Sequence, residues 1–162
     1  MGLDLDKDDL SGTYVAFGGG TGVFCFLDFV AFTLRYVCYK IASTNFNQHD
    51  NIINKEDFSM VKDDFRLIYF STFQDEESVV YHDMCDKLQK LDKKYNLNVF
   101  KFISRVSSKD KERWDTVFVN EKLEKIDKVK KAFICGPVRF LNDMKAILLQ
   151  TGKISEDKIH LV

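Results

Sequence analysis

A cluster of glycines between two apolar segments constrains the fold of this chain more than any other feature. Five of the eight glycines lie between Gly12 and Gly22. A short apolar run, residues 13–17, leads into the cluster, and a long apolar stretch, residues 24–39, follows it. A strand that turns through glycines into a helix brings bare backbone N–H groups and a helix N-terminus to one point, which attracts phosphate. The glycines could also serve only to let the helix pack on the strand, and the residues alone leave both interpretations open.

Composition limits the classes of function that this chain can have. The 162 residues are 45% hydrophobic and 30% charged, with a formal net charge of -1. This length and composition favour one globular domain, and the neutral balance argues against nucleic-acid binding, so any recognition of phosphate must be local. The four cysteines are widely spaced and include no C-x-x-C pair. We therefore predict neither a metal site nor a disulfide framework, and we expect a reducing, cytoplasmic location.

Apolar runs and helix-like periodicity alternate along the chain. The predicted strands are residues 13–17, 66–72, 99–104, 132–135 and 158–162. The first predicted helix covers residues 23–41, and the second begins at Asp75, Glu76 and Glu77. The third covers residues 120–126, and the fourth follows Pro137 and ends at Gly152. This alternation predicts an α/β fold: a doubly wound, parallel, five-stranded sheet with helices on both faces. Residues 43–64 are polar and rich in asparagine, which predicts a surface insertion.

A second motif, Ile134-Cys135-Gly136-Pro137, follows the fourth predicted strand and contains the only proline. Ligands of such sheets bind at the carboxyl ends of the strands, and both motifs are predicted to lie there. A thiol at a helix N-terminus can act as a nucleophile. Because no histidine stands near Cys135 in the sequence to serve as its base, we favour a small, polarisable side chain that packs against a bound ring.

A cationic segment follows the third predicted strand. Ser104-Arg105 ends the strand, and Lys109, Lys111 and Arg113 come next. At that position they would lie beside the adenosine ribose of a nucleotide whose pyrophosphate binds at the first strand. Serine and cations suit a 2′-phosphate there, whereas an acidic residue would repel it.

The two motifs resemble those of the NAD(P)-binding domain of the ferredoxin reductase superfamily, and in particular of the NADH-cytochrome reductases and related flavin oxidoreductases. Residues 19–23, Gly-Gly-Thr-Gly-Val, match the pyrophosphate motif, which usually continues Thr-Pro where this chain has Phe24-Cys25. The resemblance covers nearly the whole chain. Further similar stretches are residues 70–84, 114–115, 118–121 and 159–160.

The resemblance implies which residues bind the coenzyme, NADPH or NADH. It implies that the glycine segment lines the pyrophosphate and that Cys135 lies close to the point where hydride passes from nicotinamide to flavin, which makes Cys135 the catalytic candidate. Ser104-Arg105 resembles the Ser-Arg pair of the NADP-specific members, although Trp114 and Thr116 stand where those members have a Lys-x-Tyr pair. The resemblance therefore favours NADPH or the use of both coenzymes. The implied coenzyme-binding residues are Gly19, Gly20, Thr21, Gly22, Ser104, Arg105, Gly136 and Pro137.

The flavin domain of that family, a β-barrel, has no counterpart in this chain. The resemblance therefore implies that residues 1–12 are a linker remnant from a missing FAD-binding domain and that residues 13–162 are the NAD(P)-binding domain. FAD would be bound mainly by the missing domain of the same parent chain, and the isolated domain would be inactive. The electron acceptor and any membrane attachment of the parent stay open.

Two alternatives to this function remain. A ferric reductase or a hydrogenase-linked subunit of the same superfamily would have the same nucleotide domain. A non-catalytic nucleotide-binding or scaffold module would keep the fold without the reaction, and Phe24-Cys25 in place of Thr-Pro is the feature that supports it.

Overall fold

Five short, mostly buried strands form one parallel sheet, as the sequence predicts. The structure, a computed structural model, describes Leu3, Leu5 and residues 10–45, 58–109 and 114–162. The strands lie in the order β3-β2-β1-β4-β5. Their bounds are β1 Thr13–Gly19, β2 Arg66–Phe73, β3 Phe100–Val106, β4 Val129–Cys135 and β5 Ile159–Leu161.

Helices cover both faces of this sheet. A 3₁₀ segment, Gly20–Phe26, follows β1 directly and continues into the first α-helix. The α-helices are α1 Leu27–Asn45, α2 His82–Lys94, α3 Thr116–Lys122 and α4 Val138–Gln150. Gly152, with φ +68°, follows the end of α4 in the left-handed conformation that glycine adopts without strain.

Alternate residues of the strands contribute to two separate cores. Tyr14 and Ala16 of β1 face α1 and α2, whereas Val15 and Phe17 face α3 and α4. The ring of Phe17 stacks on that of Phe70 from β2, with centroids 4.4 Å apart. Every residue of β1 is buried, as expected for the central strand of a sheet covered on both faces.

The span Gly20–Thr44 is long and apolar enough to cross a membrane by length and composition alone. In the structure it contributes a helix that packs on the sheet. Phe29 and Val37 of α1 are buried against the sheet, and the charged residues Asp28 and Arg35 lie on its exposed face.

Two predicted helix starts are wrong, for local reasons. The second helix begins at His82 and not at Asp75, because the Asp75 carboxylate accepts hydrogen bonds from the backbone N–H and the hydroxyl of Ser78 and closes a turn instead. The third helix begins at Thr116, upstream of the predicted residues 120–126. Asp115 caps it by accepting a 2.8 Å hydrogen bond from the N–H of Phe118.

The predicted surface insertion, residues 43–64, is only partly described, since residues 46–57 lie outside the described part of the chain. Its described end, residues 58–64, is mostly exposed, and Phe58 anchors it to the domain. Phe58 is 6% exposed and packs on the ring of Tyr39, with centroids 5.2 Å apart. Val61 forms an isolated parallel bridge with Leu10, which ties this segment to the residues just before β1.

Candidate functional site

The structure brings the glycine motif and the Cys-Gly-Pro motif into direct backbone contact. Gly18 pairs with Cys135 at the carboxyl ends of β1 and β4. A Cβ atom on Gly22 would lie 2.3 Å from the carbonyl oxygen of Cys135 and 2.7 Å from the nitrogen of Gly136. Only glycine fits at Gly22. The contact lies between β1 and β4, where the strand order changes direction, and this switch point is the usual position of a ligand site in such folds.

The turn after β1 presents backbone to open space. Gly20 has φ +55°, and no atom lies within 4 Å of the position that a Cβ would take. Thr21 beside it is exposed. The first N–H groups of a helical segment have no acceptor within the segment, and Gly19 caps this one without a side chain. The turn can therefore donate hydrogen bonds to an anion in front of Gly20.

The N-terminus of α4 lies beside this turn. Pro137 is its N-cap residue with φ -58°, and its carbonyl accepts from the N–H of Leu141 at 3.0 Å. No acidic side chain occupies the first turn of the helix. Because the positive end of the helix dipole is left uncompensated there, it reinforces the attraction for an anion.

Phe140 completes the floor of the site, and the sequence analysis missed it. A Cβ at Gly19 would lie 2.9 Å from its ring, and one at Gly136 would lie 2.8 Å from the same ring atom. The ring therefore covers the backbone of both motifs from the side of α4. Its one signal in the sequence was its position three residues after Pro137, at the start of the apolar helix pattern.

Cys135 is a buried, neutral thiol. Burial raises its pKa to about 12, and the hydrogen bond that it donates to Cys25 adds to this effect. The sulfur atoms of the two cysteines are 3.0 Å apart, and Cys25 is exposed. A thiol with such a pKa is a poor nucleophile at neutral pH, and the packing of Cys135 against a bound ring remains a prediction.

Ser104 and Arg105 point to opposite faces of the sheet, as neighbouring strand residues do. The Ser104 hydroxyl lies 2.6 Å from Nε2 of His82 on the α2 face, and Nδ1 of that imidazole lies 3.5 Å from a carboxylate oxygen of Asp86. The distance from His82 to Asp86 is longer than a good hydrogen bond. The three side chains, Ser104, His82 and Asp86, therefore do not form a catalytic triad. Arg105 lines a cleft on the other face.

That cleft has a volume of about 670 Å³, within the range of small-molecule sites. It lies between the carboxyl ends of β2 and β3, the start of α3 and the first turns of α4. Arg105 and Arg139 supply cationic groups, and Trp114 and Phe140 supply aromatic surface. Two carboxylates, Asp115 and Asp143, line the same cleft, and Nε of Arg139 is 3.8 Å from a carboxylate oxygen of Asp143.

Of the other predicted cations, Lys109 lies within the described residues, and it does not line this cleft. Lys109 forms an ion pair with Glu76. Lys111 and Arg113 lie outside the described residues, so their predicted role remains a prediction.

Comparisons with known proteins identify the fold. No protein-family model and no curated protein matches the chain. Among solved structures, the CS-b5R domains of human Ncb5or in the NAD+ form match with TM-score 0.63 and 16% identity, over 99% of this chain and 39% of that chain. A mutant ferredoxin-NADP+ reductase from Plasmodium falciparum with 2′P-AMP matches with TM-score 0.57 and 17% identity, over 99% of this chain and 55% of that chain. The flavohemoglobin of Malassezia yamatoensis with bound FAD and heme matches with TM-score 0.55 and 17% identity, over 96% of this chain and 32% of that chain.

The chain therefore has the fold of the nucleotide-binding domain of ferredoxin reductase-like proteins, which is the fold class that the two motifs predicted. It spans between about a third and just over half of the length of these solved structures. The identities are low, so the fold is what the likeness establishes, and the chemistry has to be argued from the residues of the site.

Proposed function

We propose that this chain is the NAD(P)H-binding domain of a flavin-dependent oxidoreductase. The observation that carries the proposal is the backbone contact between Gly22 and Cys135, which joins the glycine turn and the Cys-Gly-Pro motif at the switch point of the sheet. When bound, the coenzyme supplies a hydride that a flavin can accept. The residues of this chain bind and orient it.

The pyrophosphate would be held by backbone groups. The N–H groups of Gly20, Thr21 and Gly22 would donate to it, since the space in front of Gly20 is open. The N-terminus of α4, capped by Pro137, adds its dipole. The open space at Gly20 and the tight fit at Gly22 together form a cradle that suits a phosphate.

The nicotinamide would lie at Cys135, Gly136 and Pro137. Burial keeps the Cys135 thiol protonated, so no negative sulfur stands beside the ring. The space that a Cβ of Gly136 would take is occupied by the ring of Phe140 and the backbone of Gly19, so the nicotinamide would approach Gly136 from its other side. Next to Cys25, the rings of Phe24 and Tyr81 meet edge to face with centroids 5.4 Å apart, and they are 46% and 37% exposed. We propose this aromatic pair as the surface on which the FAD-binding domain of a longer parent chain packs.

The adenosine would occupy the cleft beside Arg105. The guanidinium group of Arg105 favours a 2′-phosphate and hence NADPH, while Trp114 and Phe140 offer aromatic surface to the adenine. Asp143 offsets the charge of Arg139, so Arg139 adds little to this preference. Ser104 would contribute only if its hydroxyl left His82. Arg105, rather than the Ser104-Arg105 pair, therefore carries the coenzyme preference in this proposal.

Calorimetric titration of the chain with NADPH, NADH and 2′,5′-ADP tests the proposal. We expect NADPH and 2′,5′-ADP to bind more tightly than NADH. Tighter NADH binding would retain the nucleotide site but overturn the role of Arg105. If none of the three bound, the scaffold function would be favoured, and the departure Phe24-Cys25 in the turn would be its explanation.

A further inference from the structure

Two thiols from the two motifs of the site are in contact. Cys25 lies in the 3₁₀ segment and Cys135 ends β4, 110 positions apart in the sequence, yet their sulfur atoms are 3.0 Å apart. A disulfide bond is about 2.05 Å long, so the sulfurs need to approach by only about 1 Å. We propose that Cys25 and Cys135 form a reversible redox-active dithiol, which hydrogen peroxide or a low-molecular-weight disulfide oxidises to a disulfide across the site.

The surroundings of the two sulfurs assign them different roles. Cys25 is exposed, so it is the sulfur that an oxidant reaches first. Cys135 is 7% exposed, and its raised pKa, about 12 through burial, keeps it protonated until its partner has reacted. Cys85 is buried as well and has a pKa raised to about 12, also by burial, whereas no contact pairs it with an exposed thiol within the described residues.

The oxidation balances with peroxide as the oxidant. The Cys25 thiol releases its proton, and the thiolate attacks one oxygen. The O–O bond breaks, hydroxide leaves and takes up that proton as the first water, and Cys25 becomes a sulfenic acid. The sulfur of Cys135 then attacks the sulfur of Cys25. The S–S bond forms, the S–O bond breaks, and the departing hydroxide takes up the thiol proton of Cys135 as a second water. Two thiols lose two electrons, and one peroxide becomes two waters. Two molecules of glutathione, oxidised to glutathione disulfide, restore the dithiol by exchange.

The disulfide would fix the glycine turn to the end of β4. The turn carrying Gly20 and Gly22 could no longer move relative to Gly136. The effect on the coenzyme rests on the proposed function, in which the same two motifs hold the pyrophosphate and the nicotinamide. The two sulfurs would move about 1 Å closer together, which changes the position of the Cys135 side chain at the proposed nicotinamide site. We expect the oxidised chain to bind NADPH at least about tenfold more weakly than the reduced chain.

Thiol counting and peptide mapping test the dithiol without any nucleotide. After treatment with hydrogen peroxide or glutathione disulfide, we expect the four thiols of the denatured chain to fall to two, with a mass loss of two hydrogens and a linked pair of peptides containing Cys25 and Cys135. A reductant should restore all four. The variant Cys38→Ser is the matched control, since it removes a partly exposed thiol and should still form the bond. The variant Cys25→Ser should form none.

The outcomes separate this inference from the proposed function. A different peptide pairing, or peroxide consumption that stops at sulfinic acid on Cys25, would overturn the dithiol. Formation of the Cys25–Cys135 bond in a chain that binds no nucleotide would overturn the proposed function and leave the dithiol intact. Equal NADPH affinity of the oxidised and reduced chains would overturn the effect of the bond on the site.

Discussion

Gly22→Ala should disrupt both the fold and the site, because the new methyl group would collide with backbone. The Cβ would lie 2.3 Å from the carbonyl oxygen of Cys135 and 2.5 Å from its carbonyl carbon, whereas ordinary contacts begin at 3.4 Å. The turn and the end of β4 must therefore separate by about 1 Å. Overpacking costs about 1–3 kcal/mol, and we expect the upper end because neither partner is a flexible side chain. For a chain of this size, about 3 kcal/mol lowers the melting temperature by about 6–12 °C.

Thermal unfolding and NADPH titration of matched variants measure this effect. Gly152→Ala is the stability control, since φ is +68° and nothing lies within 4 Å of its Cβ position. Alanine in this left-handed conformation should lower the free energy of unfolding by about 1–2 kcal/mol without changing NADPH affinity. Gly20→Ala should show a similar loss of stability but weaker NADPH binding, because its methyl group would protrude into the proposed phosphate site. A Gly22→Ala protein that melts within about 1 °C of the wild type would refute the close contact of the two motifs.

Three further predictions follow from the site and the core. Arg105→Ala should weaken NADPH binding by about 1.5–3 kcal/mol and leave NADH unchanged, and equal loss for both coenzymes in calorimetry would remove Arg105 from the 2′-phosphate. Phe17→Ala should lower the free energy of unfolding in urea by about 3–5 kcal/mol, and a loss below about 1 kcal/mol would contradict its central stacking on Phe70. Burial raises the pKa of Asp92 above its usual 3.8, so the folded chain holds this proton more tightly and stability should fall as pH rises through the interval between those pKa values. In urea unfolding across that pH interval, the free energy of unfolding should fall less for Asp92→Asn than for the wild type. Asp92→Ala should lower the free energy of unfolding by about 1–3 kcal/mol at neutral pH, because it removes the acceptor for the N–H groups of Val99 and Phe100.

The architecture could be predicted because its signals are local. Apolar runs of strand length, separated by helix-like periodicity, indicate a parallel sheet, and the glycines after β1 mark the turn into the helix that follows. The exact start of α2 was not predictable from charge alone. Asp75 can compensate a helix dipole or close a turn with Ser78, and the turn prevails here.

The candidate site was predicted in part. The meeting of the two motifs follows from parallel strand ends at one edge. The contacts of Phe140 with Gly19 and of Cys25 with Cys135 are set by tertiary packing, and no spacing in the sequence encodes them. The separation of Ser104 from Arg105 did have a signal, since consecutive strand residues face opposite ways.

The central position of β1 has a consequence for how the chain folds. Its two neighbours, β2 and β4, are distant in the sequence, so Gly18 finds Cys135 only after most of the domain is present. Until β4 docks, one side of β1 is an unpaired edge of apolar residues, which is the kind of surface through which folding intermediates aggregate. Loop closure over such distances also slows folding. The docking of β4 therefore completes the proposed nucleotide site and protects the chain from self-association in the same step.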